Sequence, residues 1–263
     1  MSNGGRAPVE LLFLGTGTSA GVPMIGCDCE TCTSNDPRDR RTRCSVVLSY
    51  GNTRVLVDAT PELRLQSVWH GVKRIDAVVF THGHADHILG LDDLRRFNAV
   101  KQGPLDVWAS DATHATLRQT FGYAWKVPDP ASRLFRPHLL PRVIDGPFEI
   151  EGRTWQPIEL SHGGMPVLGF RVGDLAYCTD VSEIPPASME QLRDLDVLVL
   201  DGLQWRKHPT HFTVEEALAV VEELKPRRTW LTHMSHGVKH ERDEEKLPPG
   251  VAFAYDGLVV ESR

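Results

Sequence analysis

The stretch Thr81-His82-Gly83-His84-Ala85-Asp86-His87 constrains this chain more than any other. It sets three imidazoles and a carboxylate directly after the apolar run 77–80, so a strand must deliver them all to one place. His82 and His84 are two apart and project to the same side of an extended segment, whereas Asp86 and His87 turn away where the next helix begins. That divergence suits two adjacent metal ions better than one. Imidazole nitrogen and carboxylate oxygen are ligands that Zn²⁺ takes at catalytic sites, and Mn²⁺ or Fe²⁺ can substitute there.

This H-x-H-x-D-H signature at a strand end resembles the metallo-β-lactamase superfamily. The resemblance implies an α/β fold, an αββα sandwich of two mixed β-sheets flanked by helices, with a one- or two-metal site at one edge between the sheets. It also implies three further ligands, a His, an Asp and a final His, each at a strand end. The chain offers His162 after the run 155–160, Asp180 after 175–179 and His233 after 228–232. By the same resemblance His82, His84 and His162 hold one metal, Asp86, His87 and His233 hold the other, and Asp180 bridges them. A carboxylate-bridged pair, typically about 3.5–4 Å apart, suits hydrolysis of phosphate esters through a hydroxide held between the ions. The resemblance runs from residue 11 to about residue 260, so one hydrolase domain over 1–263 is expected.

Charge narrows the partners. The 263 residues carry 29 Lys and Arg against 35 Asp and Glu, a net charge of -6, which does not suit a general binder of polyanions. Nucleic acid is therefore not the expected partner, and a small-molecule phosphodiester is; a homodimer is left open. No apolar run approaches the ~20 residues needed to cross a membrane, and residues 1–6 lack the apolar core of a secretory signal. A cytoplasmic protein is expected.

Five cysteines, an odd number and tightly clustered, argue against a disulfide framework. Three of them form Cys27-Asp28-Cys29-Glu30-Thr31-Cys32, a cysteine zinc loop at 27–32 whose density suggests thiolate coordination in a reducing compartment. A tetrahedral structural zinc needs a fourth ligand, and His236, three residues past His233, is the candidate. Three reduced cysteines in a mobile loop are the alternative. Cys44 and Cys178 sit beside apolar strand positions and read as ordinary buried thiols.

The first strand is read at 9–14, ending in the glycine-rich turn 15–21. That turn lacks the full G-x-G-x-x-G pattern and a following helix, so it reads as a tight backbone turn under the metal site rather than a nucleotide loop. The arginines of 35–43 read mostly as a solvated loop, with phosphate contact as the alternative. Strands 45–50 and 53–57 form a hairpin over Gly51-Asn52. Asp58 ends the second of them and resembles the family's carboxylate that receives the outer N–H of a metal-bound imidazole; a helix N-cap at Asp58 or Thr60 is the alternative. Helices are read at 61–70, 88–100, 111–125 and 214–224. Residues 127–147 read as a long loop, a substrate-facing lid. Strands 148–150, 155–160, 169–172, 175–177, 197–200 and 229–232 complete two β-rich halves.

The glycine-rich turn, Cys27-x-Cys29-x-x-Cys32, Asp180 and Leu231-Thr232-His233-Met234-Ser235-His236 together resemble the phosphoribosyl cyclic phosphodiesterase group of the carbon–phosphorus lyase pathway. The resemblance implies two divalent ions (zinc or manganese) in the active site, a structural zinc on Cys27, Cys29, Cys32 and His236, and a histidine before the penultimate helix, here His211. After attack on phosphorus the leaving alkoxide needs a proton, which an imidazole is suited to supply. His211 is therefore the expected acid, unless it only precedes the helix capped at Thr213. Asp86, besides holding metal, would orient or deprotonate the nucleophile. Three other readings stay open: a tRNA 3′-processing endonuclease, a cofactor-biosynthesis protein of the pyrroloquinoline quinone type, and a non-enzymatic metal-binding protein.

Overall fold

The central strands are apolar on both faces, and this decides the layering. In β11 (Val197–Asp201), Val197 and Val199 join one buried cluster while Leu198 and Leu200 join another. A strand of that kind needs cover on both sides. The computed structural model describes residues 8–126 and 135–262, and among them two seven-stranded sheets pack face to face with helices outside.

The first sheet is ordered β14-β1-β2-β3-β4-β5-β6, from β1 (Glu10–Gly15), β2 (Ser45–Tyr50), β3 (Thr53–Val57), β4 (Ala77–Val79), β5 (Leu105–Ala109), β6 (Leu139–Val143) and β14 (Val259–Glu261). The second is ordered β13-β12-β11-β10-β9-β8-β7, adding β7 (Phe148–Ile150), β8 (Arg153–His162), β9 (Met165–Val172), β10 (Leu175–Cys178), β12 (Arg228–Thr232) and β13 (Val251–Phe253). Each sheet mixes antiparallel and parallel pairs. Phe13, Val46, Leu48, Trp155, Phe170 and Tyr177 fill the space between the sheets. The outer face of the first sheet buries Leu56 and Phe80 in one cluster with Leu63, Leu94 and Leu117 of α1 (Leu63–Trp69), α3 (Leu94–Lys101) and α4 (Asp111–Thr120). The second is covered by α5 (Pro186–Gln191) and α6 (Val214–Leu224), whose Val214 and Ala217 meet Leu198 and Leu200. This is the αββα sandwich expected.

Several expectations about single elements need correction. The helix expected over 88–100 is broken: α2 (Ala85–Ile88) stops, a short 3-10 turn follows at Leu91–Asp93, and α3 starts at Leu94. Gly90 is the reason. Its N–H bonds the Ala59 carbonyl at 2.8 Å, and a Cβ there would lie 1.9 Å from the Thr60 oxygen, so the chain presses flat on the segment behind it. The helix expected over 111–125 ends at Thr120 and gives way to a 3-10 turn at Gly122–Trp125. The loop expected over 127–147 contains β6, an edge strand with mostly exposed side chains that tolerates Pro141. Its stretch 127–134, part of the expected lid, lies outside the described residues. After Thr232 the chain adds α7 (His240–Glu244), β13 and β14; strands of three residues are too short to show a period.

The arginine loop is not simply solvated. Arg41 is fully buried, paired with Asp39 at 2.9 Å and donating to the carbonyls of Ser235 and Val238 at 3.1 and 2.9 Å. It ties the segment after the cysteines to the loop that carries His233 and His236. A buried cation whose three nitrogens are each hydrogen-bonded is costly to break from one side.

Candidate active site

The site is built where both sheets end at the same edge. The glycine-rich turn after β1 arrives there, with Gly17 bridged to Arg43 and Met234 and Thr18 N–H bonded to the Met234 carbonyl at 3.1 Å. A Cβ on Gly15 would lie 2.1 Å from the Arg43 oxygen, so a side chain is excluded at that crossing.

Three residues just past strand ends, Asp58, Asp180 and His233, share an unusual backbone, with φ of 64°, 57° and 60°. Left-handed geometry costs a non-glycine residue free energy and is retained where surrounding structure enforces it. Asp58 follows β3, Asp180 lies two residues past β10, and His233 follows β12. The motif loop after β4 supplies His82 and His84, and the first turn of α2 supplies Asp86 and His87. His162 is the last residue of β8.

These side chains meet. Ligand-type atoms of His82, His84, His162 and Asp180 lie within 4.8 Å of one another, as do those of Asp86, His87 and His233. Asp180 reaches both groups: Oδ1 is 3.3 Å from His87 Nε2, and Oδ2 is 3.4 Å from His233 Nε2, 3.9 Å from His82 Nε2 and 4.0 Å from His162 Nε2. Such separations are long for hydrogen bonds. They are close to the roughly 3.4 Å between a nitrogen and an oxygen that share one tetrahedral ion at about 2.0–2.2 Å.

The outer nitrogens are fixed by the protein. Asp58 is fully buried, takes the Thr81 backbone N–H on Oδ1 at 2.9 Å and the Thr81 hydroxyl on Oδ2 at 2.8 Å, and lies 2.7 Å from His87 Nδ1. Because the Thr81 hydroxyl gives its proton to Asp58, it must accept from His82 Nδ1 at 2.9 Å. His162 Nδ1 donates to the Thr210 carbonyl at 2.6 Å. Each ring therefore turns its Nε2 toward the centre, the nitrogen that a metal would take. Asp58 is thus not a helix cap; the residue before α1 is Glu62.

Charge balance makes the same point. Burial drives the His82 pKa well below the usual imidazole value. Burial also opposes a charge on His87, but the Asp180 and Asp58 carboxylates hold that ring well above it. Burial penalises ionised Asp180 as well, while His233 and His87 hold its carboxyl well below the normal range. Nε2 of His82 and His87 and both nitrogens of His233 are buried without a hydrogen-bond partner. An unmet buried polar atom costs about 1–3 kcal/mol, and divalent cations among these atoms would satisfy several at once. The residues fit the metals that the fold implies.

His211 stands beside this cluster, its ring centroid 4.5 Å from His162 and 4.7 Å from His233, the latter stacked at 17°. It is held just before α6, whose start is fixed by the reciprocal cap between Thr213 and Glu216. Sequence reasoning missed its partner. Asp201, the last residue of β11, takes the Val181 N–H at 2.8 Å and lies 2.7 Å from His211 Nδ1. The available signal was a single carboxylate closing the all-apolar run Val197-Leu198-Val199-Leu200, the same pattern as Val57-Asp58.

The cysteine loop forms a second cluster. Sγ of Cys27, Cys29 and Cys32 lie 3.2, 3.4 and 3.7 Å from His236 Nδ1. Sulfur and nitrogen on one tetrahedral zinc would be roughly 3.5 Å apart at the usual bond lengths. Backbone N–H groups of Cys32 and Met24 point at the sulfurs of Cys29 and Cys32 at 3.4 and 3.3 Å. Although what burial it has works the other way, such bonds bring the Cys29 thiol down to about 6. His70, His114, His138 and His240 join neither cluster.

Comparison with known proteins agrees with this geometry. The profile of the Beta-lactamase superfamily domain matches residues 53–234. A crystal structure of a new diphosphatase from the PhnP family is 42% identical, superposes with a TM-score of 0.90, and covers 97% of both chains. Zn²⁺-bound PqqB from Methylobacterium extorquens shares the fold at 19% identity, with a TM-score of 0.76 over 95% of this chain and 99% of that one. An octanoyltransferase of Porphyromonas gingivalis is 36% identical over 95% of this chain, which spans about half, 51%, of that relative.

Proposed function

We propose a phosphodiesterase, from the premise that this chain belongs to the β-lactamase superfamily, and within it to the PhnP family, and is a metal-dependent hydrolase. The substrate proposed is a small phosphodiester, a cyclic ribose phosphate in the first instance, as the cysteine triplet and the T-H-x-S-H motif suggest. One observation carries the reading: a histidine backed by a buried carboxylate stands against the metal-binding cluster, with its Nε2 left for the reaction.

His82, His84 and His162 would hold one ion and Asp86, His87 and His233 the other, with Asp180 between them; zinc or manganese suits these ligands. Bound there, the ions would activate water and neutralise charge on the phosphoryl oxygens. Asp58, Thr81 and the Thr210 carbonyl keep the imidazoles in one tautomer and orientation. Asp86, half-enclosed at the rim, would orient or deprotonate the attacking water. His211 would hold a proton on Nε2 and release it to the departing alkoxide, while Asp201 balances the charge of the imidazolium. Cys27, Cys29, Cys32 and His236 would hold a structural zinc. The reading takes residues 1–263 as one hydrolase domain; no described helix is long and apolar enough to cross a membrane.

A second reading is favoured by the 42% identical relative being a diphosphatase: the bond cut would be a phosphoanhydride in a diphosphate-bridged substrate. Purified protein loaded with Mn²⁺ or Zn²⁺ and offered 2′,3′-cyclic, 1,2-cyclic, linear diester and diphosphate-bridged substrates tests both. Highest kcat/KM on a cyclic diester supports the first. Turnover confined to the diphosphate bridge replaces it with the second, and no turnover of any overturns both.

A further inference from the structure

We infer that the cavity beside His82 and His84 receives an uncharged, ring-sized organic group of the substrate, the group that stays on phosphorus when the other ester leaves. The inference rests on the phosphodiesterase reading above. The cavity measures about 400 Å³, inside the range of small-molecule sites. A larger one of about 580 Å³ lies between α1 and α3 but shares no residue with the metal-binding clusters, so size alone does not locate substrate.

The wall chemistry selects the occupant. Thr113 and Thr116 of α4 form one side, and Met165, Pro166 and Val167 at the start of β9 form the other. No Lys, Arg, Asp or Glu is among the lining residues. Three of the four wall hydroxyls give their protons to neighbours: Ser110 Oγ to Thr113 Oγ1 at 3.0 Å, Thr116 Oγ1 to the Ala112 carbonyl at 3.3 Å, and Thr81 Oγ1 to Asp58. What remains for a ligand is methyl surface, acceptor lone pairs and the single hydroxyl proton of Thr113. Away from the metal-binding edge, a phosphate or carboxylate would find no Arg or Lys on this wall, the side chains on which anion recognition relies. A sugar or nucleobase, with N–H or O–H donors and an apolar ring face, matches both features.

The wall is also built to stay closed. A Cβ on Gly83 would lie 3.1–3.2 Å from the Thr116 side chain, so glycine lets the metal-binding loop seat against α4. Direction follows from His211, which packs on His162 and His233 and does not line this cavity. The leaving group departs on the His211 flank, and the retained group occupies the His84 flank.

Three p-nitrophenyl diesters with a common leaving group test this, their second ester being methyl, thymidin-5′-yl or the anionic 3-sulfopropyl. The metal-loaded wild type should prefer the thymidinyl ester over the methyl one by at least about 10-fold in kcat/KM, mainly through KM. The sulfopropyl ester should not exceed methyl. Ala112 is exposed and lines the cavity; Ala112→Trp should bring the thymidinyl-to-methyl ratio down toward one, and the smaller Ala112→Leu should give an intermediate ratio if the larger plug disturbs folding. Equal kcat/KM for all three esters, preference for the anionic one, or an unchanged ratio in both variants overturns the inference while the phosphodiesterase reading stands. No turnover of any ester overturns that reading and this inference with it.

Discussion

Asp201 Oδ2 lies 2.7 Å from His211 Nδ1, inside the fully buried end of β11, and the same oxygen takes the Val181 N–H. The pair has the geometry of an acid and its counter-ion. Asp201→Asn keeps the shape but removes the charge that balances a protonated ring. Turnover of an ester with an alkoxide leaving group should fall by about 10²-fold, and His211→Ala should lower it by roughly 10²–10⁴-fold. A p-nitrophenyl ester, whose leaving group needs no proton, should suffer much less in either variant. The double variant should lose no more than His211→Ala alone, since the two act as a unit. Ligand-type atoms of His211, Asp180 and His233 lie within 4.8 Å of one another, so metal counting belongs in the same experiment; loss of metal in His211→Ala would make that ring a ligand instead.

The two carboxylate oxygens of Asp180 reach both groups of histidines. Asp180→Ala should abolish hydrolysis and lower the active-site metal content, with far-UV circular dichroism unchanged because the two sheets pack through other residues. Near-normal turnover in this variant would rule Asp180 out as a bridging ligand.

The cysteine cluster should behave differently from the open site. Mild chelation should strip the histidine cluster first and leave about one zinc per chain, since a closed four-ligand site has no vacant position for a chelator to enter. Cys29→Ser should lower the melting temperature more than it lowers turnover. Metal analysis of chelated wild-type protein checks the first point; absence of residual zinc would return the cysteines to an ordinary surface loop.

Asp256 sets a pH dependence. Burial pushes its carboxyl up to about 6, against hydrogen bonds from Thr42 and Thr16 that pull it down. A folded value above the unfolded value of about 3.9 means the folded state holds the proton more tightly. Stability relative to Asp256→Asn should therefore fall as pH rises from about 4 to about 6 and stay level above that, by on the order of 3 kcal/mol in total. Urea unfolding of both proteins across pH 4–8 measures the difference; a flat difference would show that the carboxyl titrates normally.

How much of this was legible in the sequence depended on distance along the chain. His82, His84, Asp86 and His87 stand within six residues, and one strand followed by one helical turn was enough to foresee their divergence. Asp58 was legible as a carboxylate at a strand end, but its link to His82 through Thr81 was not, because hydroxyl direction is decided by three-dimensional neighbours. Asp201 needed the parallel register of β10 and β11 to bring it under Val181 and His211. Arg41 read as solvent-facing, since the carbonyls that bury it belong to Ser235 and Val238, almost two hundred residues later. The break at Gly90 was hidden for a like reason: the segment it presses on, Ala59-Thr60, comes from another part of the fold.

The last strand, β14, closes on the first: Val9 N–H donates to Ser262 Oγ at 3.1 Å and Ser262 N–H to the Val9 carbonyl at 2.8 Å. The other end of β1 runs into the glycine turn beneath the metal centre, about 20 Å away along six residues of strand. A short linker from 262 back to 8 would thus join neighbours, and a circular permutant opened near Gly146, between β6 and β7, would keep every strand pairing and every metal-binding side chain in place. For the same reason a protein fused near residue 8 or near residue 262 would emerge from the same pole, opposite the glycine turn.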